Sequence, residues 1–461
     1  MHSDLHAHLR SHGQEHILKW WPQLSDAQRA ELQQQIAALD LKLLQKLHAQ
    51  RSEIATLPAP ERIAPIRADA LDSHDLGLRG AGEEALRRGE VAALVVAGGQ
   101  GTRLGFDHPK GMFPIGPVSK KTLFQIHAEK VLALGRRYGR PIPLLVMTSS
   151  ATHEETLDFF AEQHHFGLDR TDVFFFCQGT MPALHLATGK LLMEAKHRLF
   201  LSPNGHGGTV LALADAGLLD TLEGRGIRHV FYFQVDNALV RVADPLFLGH
   251  HVRNRAEVSS KAIAKNGPLD KLGNLVLIDG RCSIIEYSDL PATLAYQTDD
   301  AGQLCFRVGN PAIHIFDLGF LRRVTAGDLR IPFHVARKKV PYLDDNGNTV
   351  QPEKENALKF EMFIFDLLPR AERWTVVHTD RAEEFHPLKN ATGSDSPATV
   401  QEALCNQAAD WLEQAGVSVP RRADGAVTVP LEISPLFALD AEELRAKVKT
   451  QTRIVQAIYL A

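Results

Sequence analysis

The chain has 461 residues, 23% of them charged, with a formal net charge of −4 and the two signs interspersed. That pattern leaves no basic footprint for nucleic acid and no polybasic patch for a membrane surface, so any anion site has to be local. No apolar run approaches the ~18 residues of a spanning helix, and the polar, histidine-rich start does not read as a secretory leader.

The length predicts roughly two to four domains of about 100 to 200 residues. Residues 1–88 read as helical. Ser25 to Gln28 has the spacing of a capping box, with Leu32, Ile36 and Leu39 following at helical intervals, and Asp40 is placed to cap a second helix on which Leu44 and Leu47 share a face. Pro58, Pro60 and Pro65 mark a stiff connector. His6 and His8 form an H-x-H pair, a possible metal motif, but no apolar strand precedes them and a polar helix start is expected. His164-His165 and His250-His251 are expected at the surface. Cys177, Cys282, Cys305 and Cys405 form no C-x-x-C pair, which argues for reduced thiols and a cytoplasmic location.

From Val91 onward apolar runs alternate with helical segments, predicting an α/β domain over 89–392 around a mixed, mostly parallel sheet. The expected strands are Val91 to Ala97, Ile142 to Thr148, Val173 to Cys177, His229 to Val235 and Leu275 to Ile278, with a helix from Thr122 to Leu134. Residues 393–461 read as a small α+β C-terminal domain, with helices over Val400 to Gly416 and Asp440 to Lys449. In open sheets of this class ligands bind at the carboxyl ends of the strands.

The first strand breaks into Ala97-Gly98-Gly99-Gln100-Gly101-Thr102-Arg103-Leu104-Gly105, followed by Pro109-Lys110-Gly111. Glycines at a strand end let backbone N–H groups approach an anion without a Cβ in the way, and Arg103 and Lys110 add positive charge. The spacing matches neither G-x-G-x-x-G nor G-K-[ST], which excludes a dinucleotide fingerprint and a Walker A loop. A nucleotide-phosphate loop is the reading that remains. Gln178, at the end of another strand, offers the donor and acceptor that a pyrimidine edge requires. Ser202 to Gly208 holds Gly205, Gly207 and Gly208, which imply either close approach to a ligand or an unusual turn. Asp236 ends an apolar strand, where one carboxylate suits Mg²⁺ opposite a phosphate loop.

These residues, together with Lys121-Thr122-Leu123-Phe124-Gln125, Glu286-Tyr287-Ser288 and Pro387-Leu388-Lys389-Asn390, resemble the eukaryotic-type UDP-sugar pyrophosphorylases, most closely the UDP-N-acetylhexosamine pyrophosphorylases. The resemblance runs from Gly13-Gln14-Glu15-His16 to about Asn390. It implies a central Rossmann-like nucleotidyltransferase domain and the reaction of UTP with a sugar 1-phosphate to give UDP-sugar and pyrophosphate. By position, Val96, Ala97, Gly98 and Gly99 would hold the nucleotide through main-chain contacts, and Gln178 and Gly205 would recognise uracil. Lys110, Asp236 and Lys359 would meet the phosphates or their Mg²⁺, while Arg103, Lys110, Asp236 and Lys389 would carry the catalysis. His206, Gly273, Glu286, Tyr287, Asn310 and Lys389 would face the sugar phosphate. The hexosamine enzymes have asparagine where this chain has His206, and the related glucose enzymes typically have histidine. N-acetylglucosamine 1-phosphate is therefore the first expectation for the sugar and glucose 1-phosphate the second.

The chemistry that the resemblance implies needs no general base, because a sugar 1-phosphate is already ionised at neutral pH. It needs two polyanions aligned and their charge offset. A non-catalytic UDP-sugar sensor on the same fold would lack the charged set of Arg103, Lys110, Asp236, Lys359 and Lys389, all of which are present.

Overall fold

The computed structural model describes residues 2–51, 57–71, 75–326, 331–449 and 453–461. Its largest element is a sheet of twelve strands. Nine of them position the site: β1 (Val91–Val96), β2 (Leu144–Thr148), β3 (Val173–Cys177), β4 (His229–Gln234), β5 (Val258–Ala264), β6 (Gly273–Ile278), β7 (Val308–Asn310), β8 (His314–Asp317) and β9 (Trp374–His378). β4, β1, β2 and β3 lie side by side and parallel. Antiparallel β8 joins β4 to β5, and β7 and β6 continue the sheet in antiparallel pairing. β1 and β2 are buried at every position. Strands covered on both faces read as unbroken apolar runs, which is why the sequence located them to within two residues.

Helix Leu123–Tyr138 starts at Thr122, whose side chain accepts from the Gln125 N–H, and ends at Gly139 in left-handed conformation (φ 68°). Its inward face includes His127, which is buried and donates from Nε2 to the Val235 carbonyl (2.9 Å). Burial, reinforced by the charge of Lys130, pushes His127 down to about 3. Helices Leu76–Arg87 and Pro245–Arg253 meet through two glycines. A Cβ at Gly82 would overlap the Pro245 carbonyl, and one at Gly249 would overlap that of Leu78.

By compactness the chain divides into two units. One comprises Met1–Leu57, Gln178–Leu211 and Ile331–Asp366; the other comprises Pro58–Cys177, Ala212–Arg330 and Leu367–Ala461 and contains the large sheet. In the first, the N-terminal helices form with the capping box at Ser25 and the cap at Asp40. Their Leu32, Ile36, Leu44 and Leu47 share a core with Leu184, Leu191, Leu199, Leu358 and Phe360. The N-terminal segment is therefore packed with two later segments, where the sequence suggested a stretch on its own ending at residue 88; helix Leu76–Arg87 belongs to the second unit. Amphipathic faces show that a helix is packed, not against which distant segment.

The C-terminal residues lie in the second unit and have a core of their own around Ala409, Leu412, Leu431 and Leu444. There helix Pro397–Gln414 is followed by the parallel pair Leu431–Ile433 and Ile458–Leu460, with helix Ala441–Lys447 between them in sequence. His6 and His8 lie on helix His2–Ser11. His251 departs from expectation: it is fully buried, with Nδ1 2.7 Å from Ser259 Oγ, because its helix packs that face inward. Among the described residues no helix is long and apolar enough to cross a membrane.

Two measurements test this packing. Gly82→Ala is expected to lower the urea-unfolding free energy by about 1–3 kcal/mol through overpacking. Gly80→Ala in the same helix, where a Cβ meets nothing within 4 Å, is expected to be neutral or slightly stabilising. For pH, folded His127 stays neutral to about 3 while an unfolded histidine protonates near 6.5, so this contribution is lost on acidification through that window. His127→Gln is expected to keep a donor to Val235 and to make the loss of stability between about pH 6 and 4 shallower, by up to about 1.4 kcal/mol per pH unit.

Candidate active site

β1 and β4 pair in register with Val96 opposite Gln234, so the loops leaving them emerge together. The Val235 N–H donates to the Val96 carbonyl (3.1 Å), which carries the pairing past the strand ends. In the loop after β1, Ser149 Oγ donates to the Gly98 carbonyl (2.8 Å) and the Lys110 N–H to that of Gly99 (3.0 Å). The Gly101 N–H donates to the His108 carbonyl (2.9 Å), folding the loop back so that Lys110 returns beside Gly99. Among the described residues, the N–H groups of Gly98, Gly99 and Gln100 have no partner. Gly99 is exposed and a Cβ there would meet nothing within 4 Å. Free amides facing open space are what a phosphate requires.

The other glycines of this stretch have a different cause. A Cβ at Gly101 would lie 2.6 Å from the Phe106 carbonyl oxygen, and one at Gly111 would overlap the Phe124 ring. Close packing within the protein selects glycine there.

Asp236 stands in the turn after β4, and Lys110 Nζ lies 3.9 Å from its Oδ2. Both side chains are mostly covered, at 20% exposure for Lys110 and 17% for Asp236. The Leu388 N–H donates to the Asp236 carbonyl (2.9 Å), which fixes the neighbouring Lys389 in sequence to the same turn. Lys389 and Arg103 are exposed, and neither has an acidic partner among the described residues. The turn is held from beneath by the Leu123–Tyr138 helix: His127 bonds Val235 as above, and Lys130 Nζ donates to the carbonyls of Ala238 (2.6 Å) and Val240 (2.8 Å). Burial pushes Lys130 down to about 7, against the opposing pull of the Glu384 carboxylate. Sequence reading passed over both residues. Their signal was a histidine and a lysine three apart on an otherwise apolar helix face.

In the other unit, Gln178 is buried and begins a knot of main-chain bonds. The Asn204 N–H donates to Gly179 O (3.0 Å), the Met362 N–H to Asn204 O (2.7 Å) and the Gly207 N–H to Met362 O (2.8 Å). Gly205 has φ +84°, and a Cβ on Gly207 would sit 2.6 Å from the backbone of Met362 and Phe363. The turn alternative therefore accounts for these glycines. His206 stacks on Phe363 (centroids 5.4 Å apart, planes at 28°) and its Nδ1 accepts from the Ile364 N–H (3.2 Å). The ring proton is then on Nε2. Burial and the nearby His334 push His206 down to about 4, so it is a neutral donor at physiological pH. Lys359 lies on strand Ala357–Glu361 with Nζ 5.0 Å from the Phe200 ring centroid. Burial lowers its pKa, partly offset by Glu361.

A third group lies on the antiparallel side of the large sheet. Gly273 on β6 and Asn310 on β7 are cross-strand partners. A Cβ on Gly273 would lie 3.9 Å from Glu286 Oε1, which places that carboxylate over the same pair. Tyr287 is 45% exposed. The Asn310 amide is engaged within the protein: Oδ1 accepts from the Ala312 N–H, and Nδ2 lies 3.3 Å from His314 Nε2. It serves the β7–β8 turn, so any role toward a sugar runs through an already bonded side chain.

A divalent cation is compatible with this donor set. Among the described residues no three His, Cys, Asp or Glu side chains converge as a cage. Asp236 alone suits Mg²⁺, which commonly takes one or two protein carboxylates and completes its shell with phosphate oxygens and water.

Residues 41–455 match the family described as UTP–glucose-1-phosphate uridylyltransferase. The chain is 36% identical over 478 residues to the human UDP-N-acetylhexosamine pyrophosphorylase-like protein 1, covering 96% of this chain and 94% of that one. It is 37% identical over 390 residues to the UDP-N-acetylglucosamine pyrophosphorylase of Saccharomyces cerevisiae, covering 81% and 80%. The fold superimposes on the crystal structure of the uridine diphosphate N-acetylglucosamine pyrophosphorylase from Trypanosoma brucei in complex with inhibitor, with a TM-score of 0.83 and 30% identity, covering 98% of this chain and 96% of that one. Sheet, strand-end loops and these likenesses agree, and the chain belongs to the UTP–glucose-1-phosphate uridylyltransferase family.

Proposed function

We propose that the protein transfers the uridylyl group of UTP to a sugar 1-phosphate, giving UDP-sugar and pyrophosphate, with N-acetylglucosamine 1-phosphate as the sugar substrate. The observation that carries this reading is the pair of strand-end loops: free amides at Gly98 and Gly99, with Lys110 and Asp236 3.9 Å apart beside them. The relatives named for N-acetylglucosamine or N-acetylhexosamine support the choice of sugar.

An ionised oxygen of the sugar 1-phosphate attacks the α-phosphorus of UTP. Its bond to phosphorus forms as the bond to the bridging α–β oxygen breaks, and pyrophosphate leaves with that electron pair. No proton has to be removed from the nucleophile, so the residues act by position and charge. In this reading Val96, Ala97, Gly98 and Gly99 cradle the nucleotide through the main chain, Lys110 and Lys359 meet its phosphates, and Gln178 and Gly205 take the uracil edge. Arg103 and Lys389 offset the charge of the approaching phosphates. His206 donates from Nε2, and Gly273, Glu286, Tyr287 and Asn310 line the sugar side. Asp236 would hold Mg²⁺, which supplies positive charge to the triphosphate when bound. The four cysteines, none of them in a disulfide, support a cytoplasmic location.

Pyrophosphate release from UTP with Mg²⁺, measured across N-acetylglucosamine, N-acetylgalactosamine and glucose 1-phosphates, is expected to be fastest with the first. Preference for glucose 1-phosphate would assign the pocket wall to His206, and release with none would turn the reading to a UDP-sugar sensor. Asp236→Ala and Lys110→Ala are each expected to lower turnover at least about a hundredfold with the thermal midpoint little changed. Wild-type turnover in either would refute the assignment.

A further inference from the structure

Lys261 sits in the middle of β5 with no solvent exposure, an unusual place for an ammonium group. Its Nζ bonds both carboxylate oxygens of Glu384 (2.6 Å each) and Asp244 Oδ2 (2.9 Å), and lies 5.3 Å from the Phe247 ring centroid. Glu384 is equally buried and accepts two further bonds, from Thr379 Oγ1 (2.6 Å) and the Arg241 N–H (3.2 Å). One carboxylate thus ties together β5, the residue after β9 and the chain that follows the Asp236 turn.

The same residue is joined to that turn through its main chain. Asn237, 2% exposed, donates from Nδ2 to the Glu384 carbonyl (2.8 Å) and accepts at Oδ1 from the His386 N–H (3.2 Å). Asn237 and Pro387 form an antiparallel bridge, and the Leu388 N–H closes on Asp236 O (2.9 Å). The segment from Glu384 to Lys389 is therefore laid along Asp236-Asn237 by three successive hydrogen bonds, with the buried ion pair at its root. Lys389 follows at the far end, one residue beyond the bond from Leu388 to Asp236.

Stability alone is a poor account of the pair. Burying two charges costs several kcal/mol in desolvation, and apolar residues of similar volume usually stabilise as well or better. What an apolar replacement cannot supply is direction: the carboxylate fixes where the Glu384 backbone sits, and hence the spacing between Asp236 and Lys389.

We propose that Lys261 and Glu384 are positioning residues that set the separation between Asp236, on the UTP side, and Lys389, on the sugar 1-phosphate side, so that the nucleophile and the α-phosphorus meet in line. This rests on the uridylyl-transfer reading above. Misplacement of about 1 Å in such an alignment costs of the order of a hundredfold in rate. The UTP cradle on β1 does not depend on the pair, so the effect belongs in kcat and leaves KM for UTP in place.

The test is the double variant Lys261→Met/Glu384→Leu, which removes both charges of the pair together and leaves Asp244 to the charge of Arg241, compared with Glu384→Gln. The double variant is expected to unfold within a few degrees of wild type, to keep KM for UTP within about threefold and to lose at least about tenfold in kcat. Glu384→Gln is expected to show the same split. A stable double variant with wild-type kcat would overturn the proposal, since the pair would then be structural only. If the double variant does not fold, Glu384→Gln decides by the same criterion, unchanged kcat overturning the proposal. Absence of turnover in the wild-type chain with every sugar 1-phosphate would instead remove the functional reading, before any variant is compared.

Discussion

The pairing of Val91–Val96 with His229–Gln234 is the constraint on which the site depends. Two parallel strands in register must end together, so their loops share one place, and the Val235 N–H to Val96 carbonyl bond carries that closeness beyond the sheet. The amides of Gly98 and Gly99 and the carboxylate of Asp236 are neighbours for that reason. Loops that met by chance would be held by side chains and would lose register with thermal motion. These are held by a ladder of main-chain bonds buried on both faces.

Electrostatics follows from that geometry. A reaction between two polyanions asks a protein for fixed positive charge more than for proton transfer, and fixed charge requires side chains that cannot swing away. Lys110 is returned to the strand end by the bonds at Gly99 and Gly101, while Lys389 is delivered by a segment sewn onto Asp236-Asn237. Beneath them His127 and Lys130 hold three carbonyls of the Asp236 turn from a single helix. His127 does this as a neutral donor and Lys130 with a proton that burial has loosened, so acidification costs the fold at His127.

Glycine has two meanings in this chain, and the structure separates them. At Gly99 the missing side chain leaves open space beside unpartnered amides; at Gly101, Gly111, Gly205 and Gly207 it makes room for the protein's own atoms. Substitution at the first position acts on a ligand, and at the others on folding.

The sequence by itself determined strands β1 to β4, since each carries an unbroken apolar run through its interior, and it determined the helix starts at Ser25, Asp40 and Thr122, since a cap is a local matter of one side chain and one N–H. It also marked the strand-end residues Gly98, Lys110 and Asp236, because their chemistry is written within a few residues of each apolar run. Only the tertiary structure decided which strands are neighbours and which segments share a core, as with the N-terminal helices packed on Leu184 and Leu358. It alone joined Lys261 to Glu384 across 123 residues. The same holds for His251, expected at the surface and found buried, and for Asn310, whose amide is taken by its own turn. Partners that lie far apart in the chain leave no period and no spacing to read; they are chosen by burial, where every charge and every amide must find the group that satisfies it.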